Sequence, residues 1–222
     1  MKRGVNDIGN NDLLFLLGEE LKQPLIAISQ LSELQGHDET VNVYAKKALR
    51  SIDNMLLYGS IHSGQSQLRL EPVHVGSAIH DVSVAMEPLM RSAGCHTDIK
   101  IQSSLSPVDV DKRVLQGALQ GMWQALLGTI TKPSDVICRA QNAKGGIRVS
   151  ITSSGANIDE LSLAQANTKS TQPVKSIAGP ATDLIAAHGM LELLGSNMTT
   201  SRGKQAVGFG VTLRVSKQLQ VI

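Results

Sequence analysis

From Asp12 to about Leu34 the apolar residues Leu14, Leu17, Leu21, Leu25, Ile28 and Leu31 recur at steps of three and four. That spacing is one face of an amphipathic helix with a narrow seam. Asn11 or Asp12 is placed to cap it. After the turn-like GHDET, the residues Val41, Ala45, Ala48, Ile52 and Met55 predict a second helix that ends near Tyr58 to Gly64. Two long helices with a short connection make an antiparallel hairpin. One hairpin leaves much of its seam uncovered, and a second copy of the chain completing a four-helix bundle covers it, so the pattern predicts a homodimer.

Beyond SGQSQLRLEPVHV the pattern changes character. A helix is expected over Gly76 to Ala93, a strand over Thr97 to Gln102 and a helix over Lys112 to Leu127. Strands follow at Asp135 to Ala140 and Ile147 to Thr152, joined by QNAKGG, whose glycines suit a hairpin. The polar run NTKSTQPVKS, Asn167 to Ser176, reads as a mobile loop. A helix from about Thr182 to Leu194 closes at Gly195, and GFGVTLRVS is the last strand. This is an α+β order, with helices on one face of a mixed sheet.

Composition narrows the function classes. Net charge is +2, with both signs scattered along the chain, so neither nucleic acid nor an anionic membrane is expected as a partner. Aromatics are 2% of the 222 residues, which leaves an aliphatic core and poor material for stacking bases. Cys95 and Cys138 stand alone, without metal-ligand or redox spacing, as expected in a reducing, cytoplasmic setting. The longest apolar stretch, Leu13 to Leu17, falls far short of the roughly 20 residues that span a bilayer.

The stretch GEELKQPLIAI resembles the S-H-E-L-R-T-P-L motif of two-component sensor histidine kinases. Glu20, Leu21, Lys22, Pro24 and Leu25 match it in identity or charge type, and Glu19 takes the place of the phosphoacceptor histidine. The likeness continues along the chain. LRLEPVHV resembles the family's domain junction, and VDVDKRVLQGALQGMWQALLGT the helix that carries its magnesium-binding Asn. In that alignment Gln124 and Gln120 occupy the Asn positions. ITSSGANI resembles the D-x-G-x-G box, with Ser153 for the adenine-reading Asp, Gly155 kept and Asn157 for the second Gly. GPATDL resembles the G-x-G-x-G-L box, keeping Gly179 and Leu184 and carrying Ala181 and Asp183.

The resemblance implies a two-helix dimerisation hairpin over residues 1–66, forming a four-helix bundle in the dimer. A histidine-kinase-type ATPase-like α/β sandwich follows over residues 67–222. The departures remove parts of the chemistry. A carboxylate at position 19 lacks the nucleophilicity of a neutral imidazole nitrogen. Losing the charged partner of the adenine amino group costs roughly 1.5–3 kcal/mol, about 10- to 150-fold in affinity. Asp183 places negative charge where phosphates would rest, and Gln124 carries its amide on a stem one methylene longer than Asn.

The resemblance therefore implies a degenerate, pseudokinase-like protein that docks a response-regulator receiver domain or a partner kinase. The surface involved is Glu19, Glu20, Lys22 and Gln23, with no cofactor. Two alternatives stand beside it: a divergent kinase that still binds ATP and magnesium, and a histidine phosphotransferase-like relay. His37 and His62 are expected as a turn residue and a junction residue without phosphotransfer roles. Structural readings also exist. Asp183 suits the dipole of a helix start, Gln116, Gln120 and Gln124 form either a solvated stripe or a remnant pocket, and His188 shares a face with Leu184, Leu191 and Leu194 as a satisfied boundary residue. Trp123 is expected to pack, and Lys169, Lys175, Arg202 and Lys204 to be scattered surface cations.

Overall fold

The computed structural model describes residues 10–35, 39–158, 180–203 and 205–216. The chain divides into two compact units, Met1–Gln67 and Leu68–Ile222.

The first unit is a pair of helices, α1 (Asn10–Gln35) and α2 (Glu39–His62). α1 is described from Asn10, so the expected caps Asn11 and Asp12 lie within its first turn, and their side chains lie outside the described residues. The helix continues through Pro24, which has no N–H to return to the carbonyl of Glu20. α1 and α2 approach closely at Gly18, where an added Cβ would lie 2.7 Å from Leu56 Cδ2. Polar pairs hold them elsewhere: Ser29 Oγ donates to Asn42 Oδ1 at 2.7 Å, and Lys46 Nζ pairs with Glu33 Oε1 at 2.7 Å.

The apolar seam does not join α1 to α2. Leu17, Leu21, Ile28 and Leu31 remain 43–57% exposed, while the side chain of Leu14 lies outside the described residues. On α2 the expected face splits, with Ala45 buried and Val41 and Met55 each 41% exposed. The hairpin thus closes on the Gly18–Leu56 contact, on Val43, Ala45 and Ile61 and on polar pairs, and leaves much of its leucine seam exposed.

The second unit opens with β1 (Glu71–Val73), α3 (Val75–Ser92), β2 (Thr97–Ile101) and β3 (Val108–Val110). It continues with α4 (Lys112–Leu127), β4 (Val136–Ala143), β5 (Gly146–Ser153), α5 (Pro180–Leu193), β6 (Met198–Arg202) and β7 (Val207–Leu213). The main sheet has five strands in the order β2-β4-β5-β7-β6. β2 runs parallel to β4 and the remaining pairs are antiparallel. β1 and β3 form a separate antiparallel pair.

Strand alternation sets the core. In β5, Ile147, Val149, Ile151 and Ser153 are buried and the residues between them only partly so. The register lines Ile151 up with Cys138 and Phe209, and Val149 with Ala140 and Val211. The helices cover this face with Met86, Met90, Leu115, Leu119, Met122, Trp123 and Met190, none more than 2% exposed. Trp123 is the expected packing residue, and its Nε1–H donates to Met90 Sδ at 3.3 Å. β4 and β5 are longer than expected and meet at a tight turn in which Gly145 has φ 92°, a conformation that favours glycine.

α4 starts where its sequence says it should. Asp111 caps it, accepting from Arg113 N at 3.0 Å, and also holds Arg69 N at 3.0 Å. α4 and α5 approach closely at Gly121, where an added Cβ would lie 2.7 Å from the Asp183 carbonyl oxygen and 2.9 Å from Ala187 Cβ.

Candidate functional site

The first candidate surface lies on α1. Glu19 is half-buried, with Oε1 3.3 Å from Lys22 Nζ, and the same ammonium sits 2.9 Å from Asp53 Oδ1 of α2. The hydrogen bond to Asp53 is the main reason the Lys22 pKa lies above its ordinary value, with Glu19 adding to it and partial desolvation opposing. Lys22 thus bridges the two helices of the hairpin, and Glu19 is a carboxylate paired to an ammonium. Glu20 and Gln23 are exposed. At about 100° per residue, Gln23 shares the Glu19 side while Glu20 turns away toward the leucine stripe. The four residues therefore do not form one patch. Asp53 escaped the sequence reading because nothing local to α2 links it to position 22.

The stripe itself borders an apolar hollow of about 490 Å³, walled by Phe15, Leu17, Leu21, Ile52, Met55 and Leu56. At the end of α2, His62 is exposed and stacks on Tyr58, with ring centroids 5.4 Å apart. His37 lies outside the described residues.

The second candidate site is in the α/β unit, at the nucleotide-box positions. Ser153, at the end of β5, has no exposed surface and its Oγ lies 2.6 Å from Ser134 Oγ. Gly155 N–H donates to both hydroxyls, at 3.1 and 3.3 Å. The segment after α4 is laced onto this turn by Thr131 N to Gly155 O at 3.1 Å and Asn157 N to Thr129 O at 3.0 Å. An added Cβ at position 155 would meet Lys132 O at 2.5 Å, so this glycine is required by the neighbouring backbone. Ser134 gave no signal in the sequence, since a serine before a strand looks like any turn residue.

On α4 the glutamine stripe runs from surface to interior. Gln116 Nε2 donates to Asp81 Oδ2 at 2.9 Å, Gln120 is half-buried, and Gln124 has no exposed surface. The solvated-stripe reading fails at Gln124. Asp183, in the first turn of α5, is 6% exposed, and the Gly121 contact brings that turn against α4. Ala181 lies in the same turn. Asn157 is exposed. Gly179, Lys169, Lys175, Lys204 and the run 167–176 lie outside the described residues.

Among the described residues, other titratable groups offer no competing centre. His188 Nε2 is 3.5 Å from Glu192 Oε1, but its buried Nδ1 has no hydrogen-bond partner among the described residues, so the histidine is only half satisfied. Burial pushes the Cys138 thiol up to about 12. Among the described residues no cluster of three His, Cys, Asp or Glu is placed to hold a metal ion, and no helix is long and apolar enough to cross a membrane.

With this geometry in hand, the chain can be set beside known proteins. It is similar to full-length ShkA in complex with AMPPNP, at 15% identity and a TM-score of 0.65 over 94% of this chain and 47% of that one. It is also similar to the Acinetobacter baumannii histidine kinase AdeS, at 13% identity and a TM-score of 0.58 over 90% and 95%. The catalytic domain of histidine kinase ThkA matches at 17% identity and a TM-score of 0.57 over 66% and 96%. The chain spans about half the length of ShkA. No protein-family model matches the sequence, and no curated protein matches it significantly. These likenesses show the fold: a helical hairpin followed by an ATPase-like α/β unit, as in histidine kinases.

Proposed function

We propose that the chain is a histidine-kinase-like signalling module that does not phosphorylate itself. It forms a homodimer through the outward seam of the hairpin and docks a response-regulator receiver domain or a partner histidine kinase. The observation that carries this reading is Glu19. Where the resembled motif has a histidine stands a carboxylate paired to Lys22 at 3.3 Å, without an imidazole nitrogen to attack a phosphate. Two carboxylates, Glu19 and Asp53, share the single ammonium of Lys22, and Glu20 adds an exposed acid on a different side of α1. The docking surface is thus acidic and permanent, where a phosphorylated surface is removable.

The residues at the nucleotide boxes do not fit a magnesium nucleotide well. Ser153 has no exposed surface and is bonded to Ser134, so no carboxylate reaches for an adenine amino group. Gln124 is fully buried, and Asp183 adds an acid to the helix start that phosphates would approach. A second reading, a divergent pocket that still binds ATP, draws on the likeness to ShkA, which was crystallised with AMPPNP.

Titrating the protein with a panel of receiver domains should find one that binds with micromolar affinity, weakened at least tenfold by Glu19→Arg. Unchanged affinity would remove Glu19 from the docking surface. Calorimetry with magnesium-ATP should show no binding in the micromolar range, and binding there would move the conclusion to the second reading.

A further inference from the structure

The five strands of the main sheet hold a single acid, Asp98, beside the cations Lys100, Arg139, Arg148 and Arg202. Strand alternation divides them between the two faces. Cys138, Ile151 and Phe209 are buried register partners and mark the face under the helices, to which Arg202 belongs through its pairing with Val207. Lys100, Arg139, Ser150, Gly210 and Thr199 are consecutive register partners on the other face and form a row across all five strands. Lys100, Arg139 and Thr199 are exposed, and Ser150 is half-exposed.

Arg148 shares this face, two residues from Ser150, and its guanidinium is held within the row. Its Nη2 donates to Thr199 Oγ1 at 3.1 Å, and Thr199 Oγ1 donates in turn to Gly210 O at 3.0 Å. To reach Thr199 from β5 the side chain crosses β7 over Gly210, where an added Cβ would lie 2.8 Å from Nη2 and 3.2 Å from Cζ. The guanidinium thus occupies the space that a side chain at position 210 would fill. Asp98 is spent on Lys100 at 2.8 Å. Among the described residues Arg148 bonds only to the Thr199 hydroxyl, and Arg139 has no partner. Lys100 and Arg139 stand directly opposite one another, a like-charge pairing that costs stability unless an anion meets it.

We propose that this face docks an acidic segment of a partner protein, whose carboxylates bridge the guanidiniums of Arg139 and Arg148 across Ser150. Charge complementarity carries the assignment, since the face has three cations against one acid that is already paired. Arg139 rises from β4 and the Arg148 guanidinium lies over β7, two strand spacings or about 10 Å apart, with the Ser150 hydroxyl between them. Guanidinium groups bind carboxylates through paired, charge-assisted hydrogen bonds, and one already fixed by Gly210 and Thr199 loses little freedom in doing so. A nucleic acid fits less well, because no aromatic side chain lies on this face to stack a base: Phe209 and Trp123 are buried on the helix side. A bilayer fits less well too, since the half-buried Ile137 is the one large apolar side chain that the face offers. The proposal is independent of Glu19 and of the hairpin.

The test uses the full chain and fluorescein-labelled hexaglutamate, read by anisotropy at low salt. Binding in the micromolar range is expected, and Arg139→Gln and Arg148→Gln should each weaken it at least about fivefold, the loss of one charge-assisted contact. Thr199→Val keeps every charge but frees the Arg148 guanidinium, and should also weaken binding. Arg91→Gln removes an exposed cation from α3 and should leave binding unchanged. Arg139 is exposed and unpartnered, so its variant folds and keeps the test decisive even where Arg148→Gln lowers the thermal midpoint. Equal losses for Arg91→Gln and Arg139→Gln would reduce the effect to net charge and overturn the proposal. So would no binding at millimolar peptide, or tighter binding of oligothymidylate or of vesicles of phosphatidylserine and phosphatidylcholine in equal amounts.

Discussion

Asp111 ties three donors into one point: the backbone N–H groups of Arg69 and Arg113 and the Arg113 guanidinium, whose Nη2 lies 2.8 Å away. Burial alone would raise its pKa, but these hydrogen bonds outweigh it and hold the carboxyl below its usual value. The sign of the pH effect follows. With the folded pKa depressed, the unfolded chain takes up the proton first as pH falls, so the stabilisation is complete above about pH 4 and is lost on acidification through the folded value. Asp111→Ala should cost about 2 kcal/mol at neutral pH, from the lost cap and the orphaned Arg69 N–H. Urea unfolding followed by the fluorescence of Trp123, the only tryptophan, measures both effects, and the variant should lose less stability between pH 5 and pH 3 than the parent, within about the range set by one carboxylate. The start of α4 was legible because a cap acts within three residues. The Ser134–Ser153 pair, 19 residues apart in sequence, has no such local signature.

Helices declared themselves because each offers three or more turns over which apolar residues recur. α4 has the bounds its pattern implies, and α5 ends at Leu193, two residues before Gly195, whose φ of 67° suits a helix stop. β1 and β3, three residues each, and the polar β6 were missed, since so few residues show no alternation and their pairing partners are distant in sequence. Which helices touch was equally invisible, and Gly121 decides it for α4 and α5. Gly121→Ala should be destabilising by about 1–2 kcal/mol, because overpacking against Asp183 O and Ala187 outweighs the roughly 1 kcal/mol gained from helix propensity. Thermal unfolding checks this, and a rise in midpoint would mean that α5 shifts freely.

At the scale of the molecule, the leucine seam was readable from the sequence but its partner was not, because the described residues of the hairpin leave Leu17, Leu21, Ile28 and Leu31 43–57% exposed. If a second copy does, Leu21→Asp removes one buried leucine from each protomer, worth about 3 kcal/mol or more in total and thus roughly a hundredfold in dimer affinity. Sedimentation should show a dimer for the parent at micromolar concentration and a monomer for the variant. A monomeric parent would remove the dimer from the proposal. The proposed loss of chemistry is likewise distributed, between the hairpin at Glu19 and the α/β unit at Gln124, Ser153 and Asp183. Restoring the acceptor alone should therefore not restore the reaction. Glu19→His, incubated with magnesium and radiolabelled ATP, should acquire no acid-labile label, even though Lys22 keeps its 2.9 Å bond to Asp53 and the hairpin stays folded. Label on the new imidazole would show that the nucleotide site works with a buried glutamine and a paired serine in place of asparagine and aspartate. The missing histidine would then be the one barrier to catalysis.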